Sequence, residues 1–291
     1  MTPTHSMTSM TYLQLLFSPM VQALHRMKHE YKRTGLVILF DILFLLVLGF
    51  VSSPLVLRIT DYLFFIGQAI GRYSSLNSDA QNQALTTLIQ NTSMQPYVWK
   101  TGILLLIWVV SVYLLYVFFQ GLAWWYTVRT AVKQESEPPL YNYLMRFLRI
   151  NIPWYFLFIV LQVVLYIYSL FALVAQRQAG LSDGALPYPF IFTLLYVLIG
   201  YFAVISYTCI ARDTARHSLI PTLVFGVKRF HILFPAFLLA LIPFVLVNLI
   251  LFAFAKFPLL TIILGFLLFF PALVWARWYF TRVAWRTFNA Q

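Results

Sequence analysis

Apolar residues run through this chain in long blocks, not in short alternations. Six blocks reach the roughly 20 residues that a membrane-spanning helix needs: Leu36–Leu57, Trp99–Gln120, Ile152–Val174, Tyr188–Ile210, Ile232–Phe254 and Pro258–Phe280. The pattern predicts an all-α, polytopic membrane protein of six transmembrane helices. The first block is too long for a signal-peptide core, and no small-residue cleavage site follows it, so no cleaved leader is expected. Between Trp99 and Lys133 only Gly102 and Gly121 interrupt the helical pattern. At a rise of 1.5 Å per residue that stretch makes a helix of about 50 Å, against a bilayer core of about 30 Å. The second and fourth spans are therefore expected to project beyond the bilayer, carrying Arg129 and Arg212 at matched positions.

The polar intervals have an order of their own. A shift of 83 residues aligns Arg129 with Arg212, Pro138 with Pro221, Leu140 with Leu223, Arg146 with Arg229 and Phe147 with Phe230. In both places a span runs into basic sequence, stops at proline and resumes as a short basic helix before the next span. Near the N-terminus, Ser18-Pro19 reads as a helix start: a serine cap and a proline whose missing N–H costs nothing. Met20, Leu24, Met27 and Tyr31 then fall on one stripe, with His25, Arg26, Lys28, His29, Lys32 and Arg33 largely off it. Such a helix suits the headgroup plane of a bilayer. The expected organisation is one membrane domain, residues 1–291, of three repeated units. Each unit, 1–133, 134–217 and 218–291, is an interfacial amphipathic helix plus a helical hairpin. Residues 58–97 form the longest loop, on the outer side, with a small amphipathic helix expected after Ser78-Asp79 and a glycosylation triplet at Asn91.

Composition agrees with the pattern and narrows it. Of 291 residues 62% are apolar and only 10% charged, with a mean hydropathy of +0.82. Soluble domains carry about 25% charged residues, so a soluble globule and a disordered chain are excluded. A single cysteine, Cys209, excludes an intrachain disulfide. The net charge of +12 would suggest nucleic acid in a soluble protein, but here it reads as topology. Fifteen basic residues flank one side of the spans: Arg26, Lys28, Lys32, Arg33, Arg129, Lys133, Arg146, Arg149, Arg212, Arg216, Lys228, Arg229, Arg277, Arg282 and Arg286. Five flank the other: Arg58, Arg72, Lys100, Arg177 and Lys256. Positive flanks stay cytoplasmic, so both termini are expected there, in the plasma membrane, with no nucleic-acid partner. Anionic headgroups are the expected contacts of Arg26, Lys28, Arg146 and Arg229.

Patterns that resemble catalytic motifs do not fit this topology. Gly180-Leu181-Ser182-Asp183-Gly184 fits the G-x-S-x-G pattern, but it lies on the outer side while all five histidines lie on the other. His25 and His29 are four apart, without the cysteine or carboxylates that would complete a metal shell. Neither a cofactor nor a metal is expected. Asp41 is the one acid inside a span, about 9 Å from its start. A carboxylate there faces the protein and needs a partner, for which Arg129 and Arg212 are the candidates. Gln162 and Asn248 lie on the third and fifth spans, and the three polar residues are expected to converge, as interhelical glue or as a proton, ion or headgroup site. Pro235, Pro243 and Pro271 are expected to kink the last two spans.

Pro138–Phe147 with the span after it, and Asp213–Phe237, resemble the poorly characterised six-span bacterial and archaeal families that include the membrane domain attached to some glycerophosphodiester phosphodiesterases. The resemblance implies a basic amphipathic segment followed by a helix pair, repeated. It carries over no catalytic domain and no functional residue. The expectation is a non-enzymatic integral membrane protein, a scaffold or lipid-associated subunit acting as a homo-oligomer or with a membrane-protein partner. The alternative is a transporter or permease subunit that couples to a soluble partner through its cytoplasmic helices.

Overall fold

A computed structural model describes residues 9–71, 94–131, 139–178, 190–210 and 219–289. Among these residues the chain is helical throughout. The helices are α1 (Ser9–His29), α2 (Tyr31–Gly71), α3 (Gln95–Ala131), α4 (Leu140–Gln178), α5 (Phe190–Cys209), α6 (Leu219–Lys228), α7 (Phe230–Ala253) and α8 (Pro258–Asn289). Six of them, α2, α3, α4, α5, α7 and α8, are long and apolar enough to cross a membrane.

Several boundaries differ from those the sequence suggested. Ser18-Pro19 does not start α1; the helix begins at Ser9 and runs through Pro19. The apolar residues before Pro19 extend the packing face, and Ser18 instead accepts a hydrogen bond from the Gln22 amide at 3.1 Å. Span one continues as helix to Gly71, so the first part of the expected outer loop is helical. The helix expected after Ser78 and the Asn91 triplet lie outside the described residues, as does the Gly180–Gly184 motif. The second span is long, as expected, at 37 residues. The fourth is described for only 20 residues, and Arg212 beyond it is not among those described. Length instead appears in α2 and α4, of 41 and 39 residues.

The three basic segments join their spans in two ways. The chain passes from α1 to α2 through the single residue Glu30, whose N–H donates to Arg26 O at 2.7 Å while its carbonyl accepts from Thr34 N at 2.9 Å. From α6 to α7 it passes through Arg229, whose N–H donates to Phe225 O at 3.0 Å and whose carbonyl accepts from Leu233 N at 2.9 Å. At both elbows the backbone groups stay paired across the junction. The segment after Pro138 has no elbow: it is the first turns of α4, which runs through Pro153 unbroken.

The chain divides into two compact units: residues 1–41 with 121–291, and residues 42–120. The smaller unit is an antiparallel hairpin of the later part of α2 and the earlier part of α3. Phe44 meets Tyr116 and Phe119 near one end, and Tyr62 and Phe65 meet Tyr97 near the other. The larger unit is built around the second half of α8. From Val274 to Thr281 every α8 side chain is buried, whereas Leu259–Leu260 and Ile262–Ile263 are exposed. α1 lies against this half of α8 through Leu16, Met20, Ala23 and Met27. The stacked rings of Phe225 and Phe288, 3.8 Å apart, tie α6 to the end of the same helix. α7 and α8 form a tight hairpin whose turn is closed by Thr261 Oγ1 donating to Phe254 O at 2.7 Å.

Candidate functional site

The buried stripe at the start of α2 is Thr34, Val37 and Asp41, a spacing of three and four that keeps one helix face on the core. Thr34 anchors the stripe, its hydroxyl lying 3.1 Å from Glu30 O and 3.3 Å from Met27 O across the elbow. Asp41 faces inward, only 2% exposed. Its carboxylate accepts two parallel hydrogen bonds from Arg277 of α8, Nη1 to Oδ2 at 2.8 Å and Nη2 to Oδ1 at 2.9 Å. Arg277 is 6% exposed, and its guanidinium lies 5.7 Å from the ring centre of Trp124 on α3. A fork-to-fork pair under an indole is the geometry that compensates best for taking two charges out of water.

A second polar group lies between α4 and α5. The Tyr207 hydroxyl donates to Asn151 Oδ1 at 2.5 Å, and Asn151 Nδ2 donates to Phe147 O at 2.8 Å. The Trp154 indole donates to Ser206 Oγ at 3.2 Å. The Tyr207 ring packs 5.3 Å from Trp124 and 4.8 Å from Phe147, so Trp124 borders both polar groups. Two glycines permit close approach here. A Cβ on Gly121 would sit 2.6 Å from Leu144 Cδ2, and one on Gly226 would sit 3.0 Å from both Ile205 Cδ1 and Phe202 Cε1.

The polar residues singled out by sequence do not converge. Gln162 is exposed on α4, whose buried face runs through Tyr143, Phe147, Asn151, Trp154 and Leu161. Asn248 is exposed on α7, one step past buried Val247, and bonds its own helix at Phe244 O, 3.0 Å away. Both are out of phase with their helix's buried face. Among the described residues the arginine that holds Asp41 is Arg277, which was not among its candidates. Arg129 is exposed, with its guanidinium 5.1 Å from the Trp125 ring centre, and Arg212 is outside the described residues. By sequence Arg277 counts only among the basic residues that flank one side of the spans. Its signal was present: it is the only cation between Lys256 and Arg282, set in Trp275-Ala276-Arg277-Trp278 on the same predicted side as Asp41. Of the expected headgroup contacts, Lys28 is exposed, Arg146 and Arg229 are half-buried, and Arg26 Nη1 donates to Thr130 O. His25 and His29 face each other, their Nε2 atoms 3.0 Å apart on exposed α1 surface.

No protein-family model, curated protein or solved structure matches the chain. The helices themselves define the class: this is a multi-pass integral membrane protein, with six helices among the described residues long and apolar enough to span the bilayer.

Proposed function

We propose that the protein is a non-enzymatic scaffold or lipid-associated subunit of a membrane assembly, with both termini cytoplasmic in the plasma membrane. The observation that carries this reading is the Asp41–Arg277 pair: the one acid inside the predicted spans is bound in a bidentate bridge and shut from solvent. A transported ion or proton needs a carboxylate that can exchange partners, and a general base needs one that reaches substrate. A sealed pair suits cohesion instead. The exposed apolar faces, including Phe50, Phe171 and Phe252, suit contact with lipid or with another membrane chain.

Reconstitution tests the reading. Wild type and Asp41→Asn in proteoliposomes are compared for proton and ion flux and for thermal unfolding. The scaffold reading expects no flux above empty vesicles and a lower unfolding temperature for the variant. Flux that Asp41→Asn abolishes while unfolding is unchanged would establish the transporter alternative. Orientation is checked with cysteines placed at Ser75 and Gln291 after Cys209→Ser: an impermeant maleimide applied to intact cells should label the first and spare the second.

A further inference from the structure

Where α1 lies along the end of α8, three arginines gather. Arg282 and Arg286, one helical turn apart, both donate to a single atom, Oε1 of Gln22 on α1, at 2.9 Å and 2.8 Å. Arg26 stands one turn beyond Gln22 on α1, with its Nη1 donating to Thr130 O. Among the described residues neither Arg282 nor Arg286 has an acidic partner. Glu30 is engaged by Arg33 at 3.1 Å, and Asp41 by Arg277. An amide oxygen carries only a partial charge, so it orients the two guanidinium groups without neutralising them. Gln22 is exposed and the three arginines are only half-buried, so the cluster is open from outside.

Like charges held together gain most from an anion with several acceptor oxygens. Planar guanidinium forks match phosphate oxygens two at a time, and a phosphate monoester brings between one and two negative charges. We propose that Arg26, Arg282 and Arg286, ordered by Gln22, form a binding site for a phosphate group, from the headgroup of an anionic phospholipid or from a soluble phosphate. The site stands on the α1–α8 geometry alone; only its lipid source rests on the lipid association proposed above.

The full-length protein in a neutral detergent is titrated with inorganic phosphate against chloride at equal ionic strength, following thermal unfolding. In nanodiscs, retention of phosphatidic acid is compared with that of phosphatidylcholine by native mass spectrometry. Wild type should bind at least one phosphate source: stabilisation by inorganic phosphate identifies a soluble source, and retention of phosphatidic acid alone identifies the headgroup. The double variant Arg282→Gln/Arg286→Gln should weaken binding about tenfold or more, since two charge-assisted forks to the phosphate are lost. A charge-matched control, Arg149→Gln/Lys228→Gln, removes two exposed cations elsewhere and should change binding less than about twofold, the size of a rim-charge effect. If the double variant does not fold, Arg286→Lys, which keeps the charge and loses the fork, is read instead and should still weaken binding. Equal losses in the variant and its control would overturn the site while leaving general lipid association intact. Failure of wild type to bind either phosphate or phosphatidic acid would overturn it as well.

Discussion

The hairpin of residues 42–120 and the larger unit are both made of strongly apolar helices, yet they are held together differently. The hairpin is joined by aromatic contacts, buries few apolar side chains (Ile59 and Val117 among them), and leaves Phe50 84% exposed. Its glycines Gly49, Gly67 and Gly102 have open space where a Cβ would be. The larger unit holds the Asp41–Arg277 pair, the Asn151–Tyr207 bond and a glycine at Gly226 into which a Cβ would not fit without movement. In a bilayer an apolar side chain gains little by leaving lipid for protein, so hydrophobicity selects the span and says little about which face packs. The packed faces are marked by the exceptions: charges, amides, hydroxyls and small residues. α8 shows both regimes in one helix, with an apolar exposed first half and a buried second half that carries Trp275, Arg277, Trp278, Tyr279 and Thr281.

The strongest way to break the contrast is to unpair the charges. Arg277→Leu leaves the Asp41 carboxylate buried without its fork, and Asp41→Leu leaves a buried guanidinium. Each should cost about 3–5 kcal/mol, read as a lower unfolding temperature in detergent. The double variant Asp41→Leu/Arg277→Leu should recover most of that loss, because no charge then remains to be desolvated. A double variant no more stable than either single one would mean that the pair is not the cohesive element. Asp41→Asn should be milder than Asp41→Leu, since the amide can still accept from Arg277.

Close packing comes next. Gly226→Ala drives a methyl against the Phe202 ring and Ile205, and should cost about 1–3 kcal/mol as overpacking. Tyr207→Phe removes the donor to Asn151 Oδ1 and should cost less, about 0.6–1.7 kcal/mol, the range for hydrogen bonds between membrane helices. Both are read from chemical or thermal unfolding of the purified protein, and an unchanged midpoint for either would remove that contact from the account.

How much of this was legible follows the same divide. Six spans were readable because each needs only a long apolar run, and that signal is local. The inward aim of Asp41 followed from the cost of a charge in lipid. Arg277, which holds it among the described residues, was not among its candidates because pairing is a matter of depth and helix phase: Arg277 lies 236 residues away in sequence, and only comparing both depths on the same side would have matched them. Gln162 and Asn248 were misplaced for the related reason that polarity inside a span does not state phase; each sits beside a buried residue, Leu161 or Val247. The start of α1 was misread because a local cap signal at Ser18-Pro19 competed with the apolar face before it, and packing of Leu16 prevailed. The arginine cluster was invisible as a cluster, since Gln22 carried no charge to draw attention and α1 and α8 meet only in the fold.

The smallest expected effect sharpens the comparison from the hairpin's side. Gly49→Ala and Gly102→Ala each place a methyl where nothing lies within 4 Å. Glycine inside a helix costs about 0.5–1 kcal/mol relative to alanine, through the backbone freedom it loses on ordering. Each substitution should therefore leave the unfolding midpoint unchanged or raise it slightly, the opposite sign to Gly226→Ala. The two glycines also separate lipid from protein as the hairpin's neighbour. Gly49 and Ser53 are four apart and both exposed on α2, the spacing that lets a second helix approach closely. Against lipid, whose chains are fluid, a methyl at Gly49 is accommodated and the gain in helix propensity survives. Against a partner helix it would hold the backbones apart, so Gly49→Ala would lower the midpoint and dissociate the assembly on size exclusion while Gly102→Ala did not. Stabilisation at both positions keeps this hairpin face in lipid; a loss at Gly49 alone would assign that face to another chain.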